Sequence, residues 1–392
     1  MTIIQRKTGY YDVRTAHSDK PYNTFIPHPL PRVSDIKMDN ALWDLLDAAN
    51  RALGRLDGVT ALLPDPYLFT YLYIRKEAVL SSQIEGTQTT LSQLLLFETE
   101  DMPGVPLIDA KEVLNYVKAL QYGLTSIITP GSPPISLRLI KEMHHILLAG
   151  GRGGDKYPGE FRLDQNWIGP GKISEASFIG PPPDKVVDCL SDLEKYLHDI
   201  PERTPVLMKA ALAHVQFETI HPFSDGNGRM GRLLITLLLC AERALKEPML
   251  YLSLYLKTNR GEYIERLQRV REQGDWEGWL RFFLQGVLET AQQAVGAAQE
   301  ILRLFEADRK RIASLRQQAN APLRVHEVLQ KKPLISIRTA AKDMRMSLPT
   351  VTKGMQLLER LGIVAEVTGG QRNRLYMYKQ YVDILNEGTK PI

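Results

Sequence analysis

The 392-residue chain has only two cysteines, no long apolar run and no low-complexity tract, and each absence excludes a class of protein. Cys189 and Cys240 alone cannot build a secreted disulfide scaffold or a multi-cysteine zinc site. A reducing, cytoplasmic setting is therefore expected. The most apolar run, Leu233 to Cys240, is too short to span a bilayer. The first twenty residues hold no apolar core of a signal peptide, so neither secretion nor a membrane partner is expected.

What is present is globular in character. Hydrophobic residues make up 44% and charged residues 24%, values that argue against a mainly disordered chain. The length exceeds what one core usually holds, so two or three domains are expected. The net charge of +4 says little, but its distribution is uneven. From Arg303 to Lys379, sixteen Lys/Arg stand against six Asp/Glu, a balance of +10 that leaves the remainder at −6. A basic end on an acidic body suggests an appended module with a polyanionic partner.

Periodicity divides the chain into a mainly α fold. Residues 1–130 form a helical region behind a Pro-rich arm, in which FIPHPLPRV is expected to be extended. Asp39 or Asn40 can cap its first helix, and a helix from about Tyr67 to Ile84 should stop at Gly86. The turn-rich patch from Ile128 to Pro134 marks a boundary, and a core follows over residues 131–295. Within it, QNWIG and ASFIG flank PGKISE in the manner of a short β-hairpin. Leu207, Ala210, Ala211 and His214 repeat at helical spacing, as do Met230, Leu233, Leu234, Leu237 and Leu238. Residues 296–392 read as a charged helix, then helix, turn, helix and a two-stranded wing near Gly369 and Gly370.

The break between the two core helices carries the chemistry. It reads His221-Pro222-Phe223-Ser224-Asp225-Gly226-Asn227-Gly228-Arg229-Met230-Gly231-Arg232. Glycines around an Asn before a helix let the backbone approach a ligand and present N–H groups to an anion. Arg229 and Arg232 lie three apart, on one side of the first turn, where two cations oppose the helix dipole unless an anion offsets them. Their forked donors suit phosphate oxygens. Asp225 offers a hard oxygen of the kind Mg²⁺ prefers, and His221 can take a proton near neutral pH. Base, metal ligand, anion nest and two arginines make a phosphoryl or nucleotidyl transfer site.

These twelve residues resemble the motif of the Fic family, HPFx[D/E]GNGRxxR, with no departure. PGEFR (Pro158 to Arg162), the hairpin to Pro183 and GDWEGWLRFFL also look like family features, so the likeness covers roughly residues 1–290. It implies a protein adenylyltransferase that moves AMP from ATP to a Tyr, Ser or Thr hydroxyl of a target protein and releases pyrophosphate. By that likeness His221 is the base and Asp225 holds Mg²⁺ on the α and β phosphates. Backbone N–H groups from Gly226 to Gly228 hold phosphate, Asn227 steadies the loop or the α-phosphate, and Arg229 and Arg232 take the β and γ phosphates. Residues 165–180 resemble the family's flap, whose edge aligns the target by strand addition.

Ser81-Ser82-Gln83-Ile84-Glu85-Gly86 resembles the family's inhibitory motif, [S/T]xxxE[G/N]. Ser81 and Glu85 project from one face of a helix. Glu85 is then expected to pair with Arg232 and deny it to the γ-phosphate. Some relatives use this Glu to remove AMP, so de-AMPylation stays open, as does transfer of another phosphate-containing group.

The basic end resembles a winged helix-turn-helix, with Pro349 to Leu361 as its recognition helix. Lys353, Arg372 and Arg374 are candidates for phosphate or minor-groove contacts. DNA binding and protein contact both stay open, as do self-modification and a homodimer. A third reading makes the whole chain a DNA-binding regulator whose core senses nucleotide. Other residues take plainer readings. His214 is expected in the core, and Trp276 and Trp279 in the core or at a domain junction. His144-His145 lacks a carboxylate at zinc-ligand spacing. Tyr255 and Tyr263 are candidates for an adenine pocket.

Overall fold

Asp39 caps the first helix through its side chain, which accepts the Leu42 N–H at 2.9 Å. Ahead of it lies a hairpin of β1 (Gly9–Arg14) and β2 (Tyr22–Pro27), in register Gly9 to Pro27. The expected extended arm is thus partly a strand, with Phe25 and Ile26 buried on the body. The computed structural model describes residues 6–15, 21–62, 66–99, 107–128, 134–169, 171–369 and 374–391.

Four helices make the N-terminal layer: α1 (Asn40–Leu62), α2 (Pro66–Ile84), α3 (Leu91–Phe97) and α4 (Leu107–Ile128). α2 ends where the sequence places its stop, and Gly86 follows at φ 97°. Next come α5 (Leu137–Leu148), α6 (Pro183–Leu197), α7 (Val206–Ile220) and α8 (Asn227–Ala241). α7 and α8 lie against each other, buried at nearly every position, as helices that are apolar on all sides must be. α4 packs on α8 and on α5. Then follow α9 (Ser253–Thr258), α10 (Arg260–Gln273) and α11 (Trp276–Ala313).

α11 runs unbroken for 38 residues, where the sequence suggested a separate charged helix from about Leu302. Asp275 starts it by accepting the Gly278 N–H. Trp276, Trp279 and Phe283 on its first turns are buried in the core, and Trp279 Nε1 donates to Ala211 O at 2.8 Å. Its far end carries Phe305 into the C-terminal part of the same apolar core, against Tyr378 and Tyr381, and Tyr378 donates to Asp308 at 2.7 Å. α1 packs along its length.

The C-terminal region holds α12 (Asn320–Lys331), β3 (Leu334–Ser336), α13 (Ile337–Met344), α14 (Leu348–Arg360), β4 (Ala365–Glu366), β5 (Leu375–Met377) and α15 (Lys379–Asn386). The strands form an antiparallel sheet in the order β3-β5-β4. Arg345, in a left-handed conformation, makes the turn between α13 and α14. Gly370 and Arg372 lie outside the described residues.

The hairpin expected over residues 165–180 is reduced to one antiparallel bridge, Ile168 to Phe178, closed by a short turn of 3-10 helix at Ile173–Glu175. Its exit is tied to β2, since Phe25 N–H donates to Ile179 O at 2.9 Å. Among the described residues, no helix is long and apolar enough to cross a membrane.

Candidate active site

α7 ends at Ile220, and His221 takes a left-handed backbone with φ 50° and ψ 61°. That reversal starts the loop, and Gly226 at φ 77° ends it one residue before α8. Asn227 braces the loop from inside. Its side chain accepts the Phe223 N–H at 2.8 Å and donates to Phe223 O at 2.8 Å. Phe223 is fully buried and stacks on His144, 3.6 Å between ring centres and 7° between planes.

His144, to which the sequence reading gave no role, braces the loop from α5. Its Nδ1 accepts the Gly159 N–H at 2.9 Å, which leaves the proton on Nε2 to donate to Asp225 O at 2.9 Å. Arg162 and Asn166 brace the other side. Arg162 Nε and Asn166 Nδ2 both donate to His221 O, at 2.9 and 3.0 Å, and Asn166 also reaches Phe223 O. Arg162 lies in the PGEFR segment, so a signal for it was present. The signal for Asn166 was only its place in the flap.

The His221 imidazole is mostly covered, and its Nδ1 faces Glu218 Oε2 at 3.9 Å. Burial lowers its pKa to about 4, helped by the nearby cations Arg271 and Arg162. It is neutral at neutral pH and its lone pair is available. Glu218 is itself buried, and burial raises its carboxyl to about 7.

Asp225 is half-buried. Its Oδ1 accepts the Gly226 N–H at 2.6 Å, which commits one nitrogen of the expected nest to this carboxylate. No group of three metal-binding side chains occurs among the described residues. A single carboxylate fits Mg²⁺ when phosphate and water oxygens complete the shell.

Both motif arginines are buried and already engaged. Arg232 Nε donates to Ser81 Oγ at 2.8 Å, and its Nη2 donates to Ser81 O at 2.9 Å and to Glu85 Oε1 at 2.6 Å. Burial would raise the Glu85 carboxyl, but Arg232 outweighs it, and the pKa lies below the ordinary value. Glu85 also rests on the first turn of α8. A Cβ at Gly228 would stand 2.2 Å from Glu85 Oε1, so only glycine admits the carboxylate there. The carboxylate thus occupies a helix N-terminus, a place suited to any anion.

Arg229 is held by a second acid. Its Nη1 lies 3.3 Å from Glu112 Oε2, and its Nη2 lies 3.8 Å from Asp225 Oδ1. Arg152 reaches the same Glu112 at 3.7 Å and donates to Glu85 O at 3.0 Å. Glu112 sits in α4, far from the loop in sequence, and nothing in its local pattern distinguishes it from a solvated helix position.

Residues 43–125 match the N-terminal region of the Fic/DOC family, and residues 134–239 match the Fic/DOC family itself. The chain carries a Fic domain. A protein adenylyltransferase from Caenorhabditis elegans is 29% identical over 272 residues, 69% of this chain and 49% of that protein. One from Nematostella vectensis is 30% identical over 205 residues, 52% of this chain and 44% of its own length. The chain spans about half the length of the curated relatives it matches. A crystal structure of a Fic family protein from Desulfovibrio desulfuricans G20 shares the fold, with a TM-score of 0.57 and 20% identity, over 88% of this chain and 97% of that one.

The Fic domain and its N-terminal region bring His221, Asp225, Gly226, Asn227, Gly228, Arg229, Arg232, Ser81 and Glu85 to one place. Tyr263 is buried with its hydroxyl 2.8 Å from His214 Nε2, and His214 is fully buried in the core. Tyr255 packs beside Phe282. The Tyr263 hydroxyl also interacts with the Arg232 side chain, so this ring stands behind the motif arginine.

Proposed function

We propose that this Fic-domain protein transfers AMP from ATP to a hydroxyl of a target protein and releases pyrophosphate. The observation that carries the reading is the neutral imidazole of His221 beside a helix N-terminus flanked by two buried arginines. His221 takes the proton of the attacking hydroxyl, a Tyr, Ser or Thr. The oxygen then bonds to the α-phosphorus, and the bond to the β-phosphate oxygen breaks. A positioned base of this kind is worth roughly 10²–10⁴ in rate. The N–H groups of the first turn of α8, with Arg229 and Arg232, bind the anionic chain, and the Gly226 amide is free to join them when Asp225 turns away. Asp225 holds Mg²⁺, which neutralises charge on the leaving pyrophosphate when bound.

In this reading Glu85 is a brake on the Fic domain. Glu85 holds Arg232 and rests against Gly228, the groups the triphosphate would need to lie in line. The flap, joined to β2, offers backbone for aligning a target segment, and the chain's own hydroxyls are among the targets to be tested. The setting we assign is the cytoplasm.

The test is transfer from α-phosphate-labelled ATP, in lysate and with the purified chain. Wild type, Glu85→Gly and His221→Ala are compared at matched folding. We expect strong label with Glu85→Gly and none when His221→Ala is added. No label in any sample, with ATP binding intact, would overturn the reading in favour of another donor, of AMP removal, or of a nucleotide-sensing regulator.

For residues 296–392 we propose a winged helix that binds DNA. The observation favouring it is the face of α14. Thr350, Lys353, Gln356 and Arg360 are exposed along one side, while Val351, Met355 and Leu358 are buried on the other. Lys353 and Arg374 are the described candidates for phosphate contacts. Duplex binding that weakens steeply with salt supports this, and its absence turns the module into a protein-docking or dimer surface.

A further inference from the structure

Gln83 lies two residues before Glu85, and its buried side chain is a junction between distant parts of the chain. Its Nε2 donates to Thr89 O at 2.9 Å and to Thr389 O at 2.8 Å, a partner 306 residues away. Its Oε1 accepts from Lys257 Nζ at 2.6 Å. Lys257 is buried as well, and its ammonium also donates to Gly388 O and Lys390 O. One amide and one amine thus hold three successive carbonyls of the segment that follows α15.

That segment fits a shaped socket. Asn386 Nδ2 donates to Ser92 Oγ at 2.7 Å, beside the first turn of α3. Thr389 turns back to Asn386 O through both its N–H and its hydroxyl, each at 2.9 Å, and is itself buried. Gly388 has φ 77°, and a Cβ there would stand 2.5 Å from Leu254 Cδ1, so only glycine fits against α9. Polar contacts dominate, and the segment has no regular structure of its own.

The other side of Gln83 is the turn that aims Glu85. Glu85 N–H and Thr87 N–H donate to Ser82 O at 3.1 and 3.2 Å, and Gly86 N–H donates to Gln83 O at 3.0 Å. This turn follows the last residue of α2 and faces the socket with one side chain and the active-site loop with the next but one.

We propose that residues 387–390 are a latch. Seated on Gln83 and Lys257, they fix the 82–87 turn and so keep Glu85 on Arg232 and Gly228. Withdrawn, they strip the buried Gln83 amide of one of its two acceptors and the buried Lys257 ammonium of two of its three, and the turn loosens. The stem of the latch is α15, which packs on α11, α2 and α3 and belongs to the basic C-terminal region. A ligand of that region that shifts α15 therefore acts on the brake. The inference rests on the reading of Glu85 as a brake.

The experiment compares the full chain with a chain ended after Glu387, which retains α15, and with Lys257→Met, which retains the segment. Hydrogen exchange is followed in peptides spanning residues 80–90, and AMP transfer is measured in parallel, each with and without Glu85→Gly. The latch predicts exchange at least five-fold faster over 80–90 in both variants, with α7 and α8 unchanged. It predicts transfer at least three-fold above wild type, and no further gain on top of Glu85→Gly, because both changes release one restraint. Unchanged exchange over 80–90 would overturn it, as would equal loosening of α7 and α8. Faster exchange without faster transfer, while Glu85→Gly is active, would overturn its link to the brake. If Glu85→Gly is also inactive, the catalytic reading has failed, and exchange alone decides whether the segment clamps the turn.

Discussion

Glu85 Oε1 stands 2.6 Å from Arg232 Nη2 and against the backbone of Gly228, so one carboxylate takes both the cation and the helix end that an anionic ligand would use. The consequence is competition between a side chain and a substrate. In the proposed function that carboxylate is the brake.

Removing that carboxylate should therefore cost stability and gain affinity. Glu85→Gly is expected to destabilise the nucleotide-free protein by about 1–2 kcal/mol, since Glu85 is 36% exposed and water reaches the vacated guanidinium. Thermal unfolding with and without ATP and Mg²⁺ checks this. The ligand-induced rise should exceed that of wild type, because the triphosphate replaces the lost anion.

Glu112 should behave differently, because it is only 3% exposed and its partner Arg229 only 1%. Glu112→Gln leaves a buried guanidinium without its carboxylate, a loss of about 3 kcal/mol by chemical denaturation. Added to Glu85→Gly, it should raise KM for ATP roughly ten-fold with little change in kcat, as expected when a phosphate-binding side chain loses its orientation rather than the chemistry its base.

The acid limb of activity should lie low. An imidazole held near 4 by burial and by Arg271 and Arg162 stays deprotonated well below the ordinary 6.5. In Glu85→Gly, kcat/KM for transfer should be flat from pH 8 to 6 and decline only on approach to pH 4. A limb at the ordinary imidazole value would mean that the base is solvated in the working enzyme.

His144→Phe keeps a ring on Phe223 but leaves Asp225 O and Gly159 N–H unpaired. A loss of about 1–3 kcal/mol is expected from those two buried groups. Transfer by the Glu85→Gly protein should fall further than that stability loss explains, because the loop carrying Asp225 shifts. Activity measured well below the unfolding midpoint separates the two effects.

Local pattern carried most of the site. The stretch from His221 to Arg232 holds the proposed base, carboxylate, glycine-rich turn and arginines within one turn of loop and one of helix, so contiguity made the candidate site legible. Ser81 and Glu85 were legible because they share a helix face at a familiar spacing. Glu112, His144 and Arg152 were not, since each meets the loop only through the packing of α4, α5 and the Gly-rich segment after it. The same holds for the fold. The apolar periods of α7 and α8 declared themselves, and α2 ends at its expected stop. The length of α11 did not, because its far turns, from Arg303 to Arg311, are largely exposed and charged and look like a connector.

That unbroken helix has a mechanical consequence. At about 57 Å, from 38 residues at 1.5 Å each, α11 leaves no flexible joint between the aromatic core beside the active site and the cluster around Phe305. A partner bound by the basic end, as proposed above, would be held at a set distance and bearing from His221. Under the proposed function the helix would serve as a ruler, setting which hydroxyls of a partner held there come within reach of the loop.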